Sequence, residues 1–353
     1  MNMRVGVPME VKPMEGRVGL TPAAAGELVT RGVEVGIQQG AGIASGYPDE
    51  IYRRLGVQLL ADADALYDWA QLVVKVKEPF GPEIDRLKPG HRLFCYLHLA
   101  ANADLTRRLC DIGLTALAFE TVVDQGRLPI LVPMSDIAGR IAVQVGAHLL
   151  HTPQGGRGIL LGGLAGVERG NVVVLGAGSA GGASVRMAAA LGANVTVFDK
   201  NPLQLDRMYR VAPNVTGLLP TDSAMGEAVA GADLLIGAVL LPGAAAPHLI
   251  SRQQVAQMRP GSVIADIAVD QGGCIETTRP TSYEAPTYVE EGVQHFCVTN
   301  MPGAVPRSAS EALSAAMLPY LMGLLDADWR NDPRLAGAVN VADGELVHPA
   351  LRA

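Results

Sequence analysis

Aromatic side chains are scarce in this chain, with 5 Phe, 2 Trp and 8 Tyr among 353 residues. No cluster of Lys and Arg interleaved with aromatics occurs, and the formal net charge is -7, so the chain has neither the stacking platform nor the positive field that nucleic acid requires. Cysteine is also sparse. Cys95, Cys110, Cys274 and Cys297 lie far apart, without the close pairs of a zinc site, and a chain of this size needs no disulfide staples. Reduced thiols and no bound metal are expected. Long apolar runs are missing as well: none reaches the length of a membrane span, and the opening MNMRVGVPMEVKPMEG places charges and prolines where a signal peptide needs unbroken apolar residues. A cytoplasmic protein is expected, with no membrane partner.

What the chain does have is 49% hydrophobic residues, 18% charged residues and 41 glycines, the balance of a compact α/β enzyme. Its length exceeds what one core usually serves, so two domains are expected. In the first third, Arg4 to Val7, Val33 to Ile37, Leu72 to Lys77, Arg92 to His98 and Leu114 to Phe119 read as strands. Between them, Thr21-Pro22 starts a helix that Gly32 stops, and Asp49 to Leu55 and Asp104 to Ile112 read as helical. Such alternation predicts a mainly parallel sheet covered by helices.

Ser135 to His151 reads as a longer helix, and the glycine-rich stretch Gly155 to Gly170 as a passage between domains. A second βα series follows. Its strands are Val172 to Leu175, Asn194 to Phe198, Asp233 to Ala238 and Ser262 to Val269, with helices near Ala180 to Leu191, Leu203 to Val211 and Arg252 to Met258. A further helix runs from about Ser308 to Leu325. The break near residue 134 and the return near 303 predict two doubly wound Rossmann-like domains, a nucleotide domain of residues 135–302 being inserted in a discontinuous substrate domain of 1–134 and 303–353.

Gly176-Ala177-Gly178-Ser179-Ala180-Gly181 follows a strand and opens a helix, which is G-x-G-x-x-G in the context its chemistry needs. The first glycine permits the tight turn, the second lets a pyrophosphate approach the backbone, and the third lets helix and strand pack closely. Asp199 ends the next strand, where a carboxylate accepts ribose hydroxyls and repels a 2′-phosphate, so NAD is the expected cofactor rather than NADP.

Substrate groups should stand at the carboxyl ends of strands in the other domain. Arg17 lies in the loop after the first strand, Lys77 closes Leu72 to Lys77, and His98 closes Arg92 to His98. Period-2 geometry puts Lys75 and Lys77 on one strand face, so spacing leaves both open, and proximity to the strand end favours Lys77. In the nucleotide domain, Asp266 lies inside the last strand and Asp270 at its end, facing the cleft, while Asn300 and Met301 return the chain near the nicotinamide end.

Over nearly its whole length the chain resembles the bacterial alanine dehydrogenases and, more distantly, the soluble domain of nicotinamide nucleotide transhydrogenases. The resemblance rests on Arg4 to Pro8, Arg17 to Pro22, Val74-Lys75-Val76-Lys77-Glu78-Pro79, Tyr96 to Ala100, Val132 to Ser135, Gly155 to Gly158, Gly237 to Val239, Asp266 to Cys274 and Asn300 to Pro306. It implies that Arg17 and Lys77 hold a substrate carboxylate, with Asn300 also at the substrate, and that His98 and Asp270 are the catalytic pair. It further implies cofactor contacts from Ser135, the glycine turn, Asp199, Val239, Leu240, Ile267 and Met301. The implied reaction is reversible NAD-dependent deamination of L-alanine to pyruvate and ammonia, in a homo-oligomer that is a hexamer or smaller.

Four departures from the family pattern stand out. Gly19 replaces a usual alanine, Phe119 a common tyrosine and Ala315 a common asparagine, and the chain stops soon after His348-Pro349, which bears on subunit contacts. The alternatives are a transhydrogenase hydride-transfer subunit, a dehydrogenase or imine reductase acting on another small amino acid, and a catalytically silent NAD-binding homologue. The polar set Arg17, Lys77, His98 and Asp270 argues against the first and the last.

Overall fold

The computed structural model describes residues 3–239 and 247–352. The chain divides into two compact units, one of residues 1–134 with 303–353 and one of residues 135–302.

Unit 1 is built on an eight-stranded sheet. Its strands are β1 (Arg4–Val7), β2 (Glu34–Gln38), β3 (Gln58–Leu60), β4 (Leu72–Val74), β5 (Arg92–Cys95) and β6 (Thr115–Ala118), joined late in the chain by β14 (Val339–Ala342) and β15 (Glu345–Leu346). Unit 2 holds β7 (Asn171–Leu175), β8 (Asn194–Phe198), β9 (Val215–Leu218), β10 (Leu234–Gly237), β11 (Val263–Asp266), β12 (Thr287–Glu290) and β13 (Val293–Phe296). The sheet order in unit 1 is β15-β14-β6-β5-β4-β1-β2-β3, in which β1 to β6 are parallel and β14 and β15 antiparallel. The parallel part therefore runs 3-2-1-4-5-6. Unit 2 repeats the plan as β12-β13-β11-β10-β7-β8-β9, with only β12 antiparallel. Both are doubly wound α/β sheets, and in each the strand order reverses beside the first strand, at β1/β4 and at β7/β10. Crevices that receive ligands in such sheets open at that reversal, outside the carboxyl ends of the strands.

The central strands are mostly apolar and buried, with polar residues confined to their ends, such as Arg4, Arg92, Asn171 and Asp266, as expected of parallel strands packed under helices. Val73, Leu93 and Ala116 lie in one core with Leu66, Leu105 and Leu109 from the helices Ala63–Trp69 and Ala103–Ile112. Val173, Leu235 and Ile264 lie in the other with Val229 and Val255. Helix starts follow local chemistry: Asp62 accepts from the Ala65 amide at 2.8 Å and Asn102 from the Leu105 amide at 3.0 Å, each satisfying a donor that the first turn leaves open.

Late in the chain the helix Pro306–Leu324 packs into unit 1 through Ala309, Ser310, Leu313, Ser314, Met317 and Leu321, an i, i+3, i+4 stripe. Its hydroxyls do more than fill space. Ser310 accepts from the Val18 amide and Ser314 from the Thr21 amide, both at 3.0 Å, so this segment anchors the loop that carries Arg17.

Three sequence expectations are corrected. The stretch Gly155 to Gly170 is not a passage between domains but lies inside unit 2, where a Cβ at Gly156 or Gly162 would stand 2.1 Å from the carbonyl oxygen of Leu149 or Leu191. Its glycines permit backbone to lie directly on backbone. Strand β4 stops at Val74, short of Lys77, so period-2 alternation does not extend to the two lysines. Strand β11 ends at Asp266, and Asp270 sits in the turn Ile267–Gln271 that follows.

Candidate functional site

In unit 1 the candidate residues follow β1, β4 and β5, which are neighbours at the reversal of strand order. Arg17 is 3% exposed. Its Nε and Nη2 donate to the two carboxylate oxygens of Glu15 at 2.7 and 2.5 Å, and its Nη1 lies 3.2 Å from Met134 Sδ. Burial works against the guanidinium charge, but the Glu15 carboxylate outweighs it and raises the pKa. Glu15 thus fixes the plane of the fork, as a bidentate Arg–carboxylate pair does. Gly19 has a physical reason: a Cβ there would stand 2.7 Å from the Val74 carbonyl oxygen, so the Arg17 loop runs close against the end of β4.

The two lysines separate cleanly. Lys75 is fully buried, its Nζ 3.2 Å from Glu10 Oε2 and 3.0 Å from Glu83 Oε2. Burial opposes its charge, yet the two carboxylates hold its pKa above the ordinary value. Glu10 also accepts from the Val76 amide at 2.6 Å and the Lys77 amide at 3.3 Å, while Glu83 accepts from the Phe80 amide and the Tyr67 hydroxyl at 3.0 and 3.2 Å. Lys75 is the centre of a structural ion triad, whereas Lys77 is half-buried and follows the end of β4. Its neighbour Glu78 pairs with Lys12. Burial pushes the Glu78 carboxyl up, but the Lys12 ammonium holds it below its usual value.

His98 follows β5 in the left-handed region, φ 50° and ψ 38°, a conformation uncommon for residues other than glycine. Its side chain is 46% exposed, and its ring stacks on that of Tyr96 with centroids 5.8 Å apart and planes at 8°. Tyr96 is buried and donates its hydroxyl to the Ile130 carbonyl at 2.8 Å. Phe119 completes this cluster, meeting Phe94 and Tyr96 edge-on at 4.5 and 5.1 Å. It is fully buried, so the ring serves packing and no hydroxyl is needed there.

In unit 2 the glycine turn follows β7 and leads into the helix Ser179–Ala190. Gly176 has φ 97°, and a Cβ on it would lie 2.7 Å from the Ala238 carbonyl oxygen. At Gly181 a Cβ would lie 1.8 Å from the Gly176 carbonyl oxygen, whereas at Gly178 it would meet nothing within 4 Å. The outer glycines hold the loop together, and the middle one leaves open space at the helix N-terminus, where amide donors and the helix dipole favour an anion. Ala177 donates its amide to Asp199 Oδ2 at 2.7 Å, and Asn201 donates to Oδ1 at 2.8 Å. These bonds fix the carboxylate at the end of β8 beside the turn. The residues fit the pyrophosphate and adenosine ribose of a dinucleotide.

Val239 follows β10, Ile267 and the exposed Asp270 follow β11, and Asn300 and the buried Met301 follow β13, all at carboxyl ends of strands in this sheet. Asn300 adopts φ 59°, which its side chain tolerates. Met301 accepts from the Tyr283 hydroxyl through its carbonyl at 2.8 Å. Ser135 lies half-buried in the helix Val132–Leu149, and Leu240 falls outside the described residues. Asp266 is a structural acid, fully buried and bonded to the amides of Ala268 and Cys274 and the hydroxyl of Thr278 at 2.9, 3.0 and 2.7 Å. Burial raises its pKa. Among the described residues, no group of three His, Cys, Asp or Glu side chains is placed to hold a metal, and no helix is long and apolar enough to cross a membrane.

Sequence reasoning missed Glu10, Glu15 and Glu83, and gave Glu120 no role. Glu15 has a weak local signal, since it stands two residues before Arg17 in a short loop. Glu10 and Glu83 are visible only through their partner, because a lysine among buried valines requires a counter-charge from elsewhere.

The profile described as "Alanine dehydrogenase/PNT, N-terminal domain" matches residues 6–138, and "Alanine dehydrogenase/PNT, C-terminal domain" matches 142–349. The alanine dehydrogenase of Halomonas elongata is 48% identical over 99% of this chain and 96% of its own length, and that of Bacillus subtilis 43% identical over 99% and 94%. Among solved structures, an L-alanine dehydrogenase superposes with a TM-score of 0.95 at 47% identity, covering 99% of this chain and 98% of that one. A transhydrogenase from Sinorhizobium meliloti superposes with a TM-score of 0.86 at 25% identity, covering 98% and 99%. Matched by both profiles and by relatives above 40% identity along almost all of its length, the chain belongs to the alanine dehydrogenase/PNT family.

Proposed function

We propose that this protein is an NAD-dependent alanine dehydrogenase, converting L-alanine, NAD and water into pyruvate, ammonium, NADH and a proton in a reversible reaction. The observation that carries this reading is the near full-length similarity to several proteins named alanine dehydrogenase. The polar residues of unit 1 support it. Arg17, with its fork held by Glu15, and Lys77 are suited to fix the substrate carboxylate through charge-assisted bonds. His98 takes the proton that must leave the substrate ammonium before the Cα–H bond can break, and returns one in the reverse direction. Asp270 assists the water that attacks the imine, and Asn300 contributes a polar contact to the substrate.

NAD supplies the hydride acceptor when bound. For its recognition, Gly176, Ala177, Gly178, Ser179, Ala180 and Gly181 offer the phosphate turn. Asp199 accepts the ribose hydroxyls and disfavours a 2′-phosphate, while Ser135, Val239, Leu240, Ile267 and Met301 complete the contacts. Residues 1–134 with 303–353 then serve the substrate and 135–302 the nucleotide, in a cytoplasmic homo-oligomer. The similarity to a transhydrogenase supports a second reading, hydride exchange between nucleotides.

One experiment separates the two. Purified protein is mixed with NAD or NADP and a panel of L-alanine, glycine, L-serine and L-proline, and reduced nicotinamide is followed by absorbance. Reduction of NAD with L-alanine, far faster than with NADP or the other amino acids, is expected. Failure with every amino acid, together with hydride exchange between nucleotides, would replace this reading by the second.

A further inference from the structure

Glu120 stands in the short turn Phe119–Thr121 that follows β6, the strand beside β5. Its carboxylate reaches across to the end of β5. The His98 amide donates to Oε1 at 2.6 Å, and the Leu97 amide donates to Oε1 at 3.1 Å and to Oε2 at 3.3 Å. The same Oε1 lies 3.9 Å from His98 Nδ1, beyond hydrogen-bond reach. The carboxylate therefore grips the backbone at His98 rather than its ring. At this residue the backbone leaves the strand in the left-handed region, φ 50°, a turn that an imidazole-bearing residue adopts only when its surroundings hold it there. Tyr96 holds the ring from one face, and Glu120 holds the main chain beneath it.

We propose that Glu120 is a positioning residue for His98, acting as the hydrogen-bond acceptor that fixes the left-handed backbone from which the imidazole projects. The proposal rests on the proton-transfer reading of His98. A single well-placed oxygen suffices for this task, because Oε1 alone receives both amides. An amide side chain can present that oxygen, whereas a methyl group cannot. The other groups that feel the Glu120 charge are Cys95, Tyr96 and His348, and none of them takes part in the bonds from the Leu97 and His98 amides.

The test compares Glu120→Ala, Glu120→Gln and His98→Ala by kcat and KM for L-alanine, with active sites counted by NADH fluorescence. Misplacing a reacting group by about 1 Å costs on the order of 100-fold in rate, so Glu120→Ala is expected to lose about that in kcat per NADH-binding site, with NADH affinity unchanged. Glu120→Gln is expected to recover most of the lost rate. A purely structural role would lower yield or melting temperature and leave kcat per binding site intact. Glu120→Ala with more than half the wild-type kcat overturns the proposal, as does Glu120→Gln as slow as Glu120→Ala, which would mean that charge rather than an acceptor is needed. If Glu120→Ala does not fold, Glu120→Gln decides alone, near-wild-type kcat supporting the proposal and a loss of about 100-fold overturning it. A His98→Ala enzyme as fast as wild type would instead remove the reading of His98, and this proposal with it.

Discussion

Replacing Lys75 by methionine removes one charge from a buried triad while nearly conserving side-chain volume, so the consequence is electrostatic and not a cavity. Nζ lies 3.2 and 3.0 Å from Glu10 and Glu83, and all three side chains are at most 3% exposed. Removing one partner of a buried ion pair costs about 3–5 kcal/mol, because the remaining charge is left uncompensated. At roughly 2 °C per kcal/mol for a long chain, the melting temperature should fall by about 6–10 °C at neutral pH. Burial already raises Glu10 above its ordinary 4.5 despite Lys75, and without the lysine it rises further. A carboxyl whose folded pKa is raised contributes stability that is full below its unfolded pKa and lost as pH rises through the folded one. The deficit of Lys75→Met should therefore shrink as pH falls toward the ordinary carboxyl value of 4.5 and widen as pH rises above it. In the wild type, the raised Lys75 pKa contributes fully at every pH below its ordinary 10.5, so it adds no slope in that window. Circular dichroism melts of both proteins across the pH range read this directly. A Lys75→Met melting point within about 1 °C of wild type at every pH, the size of an ordinary surface change, would refute the triad.

Two further perturbations follow from the same geometry. Gly181→Ala forces a Cβ to within 1.8 Å of the Gly176 carbonyl oxygen, so both NADH affinity and melting temperature should drop. Gly178→Ala meets no neighbour and should keep its melting temperature while weakening NADH by about tenfold or more, near 1.4 kcal/mol; fluorescence titration and thermal melts check both, and equal behaviour of the two variants would contradict the assigned roles. Lys77→Ala should lower kcat/KM for L-alanine by about 10- to 150-fold, the worth of a charged hydrogen bond, without changing NADH affinity. Arg17→Ala is the poorer probe, since it also strands the buried Glu15 carboxylate.

The positions of the glycine turn, of the acid after β8 and of the polar residues after β1, β4 and β5 were legible in the sequence because each depends on local order: strand, turn, helix. The parallel sheets were legible for the same reason, as runs such as Val172 to Leu175 and Leu234 to Gly237 are apolar throughout. Legibility failed where the controlling contact is distant in sequence. Lys75 and Lys77 look alike in Val74 to Lys77, and only Glu10 and Glu83, 65 and 8 residues away from Lys75, separate them. Glu120 grips His98 from 22 residues away, across a strand pair that no short motif encodes. The edge strand β9 was missed because its burial alternates weakly, with two of its four residues exposed. The hairpin β12 and β13 was missed because it follows β11 without the helix that a βα rhythm leads one to expect.

The central claim is that a hydride leaves the Cα of L-alanine for NAD in this protein. Incubating the purified enzyme with NAD and L-alanine deuterated at Cα, and then analysing the reduced nucleotide by mass spectrometry, tests it most directly. One deuterium per NADH formed is the predicted result, with the signal abolished in His98→Ala. NADH formed without deuterium, or no reduction by L-alanine while deuterium passes between nucleotides, would contradict the account.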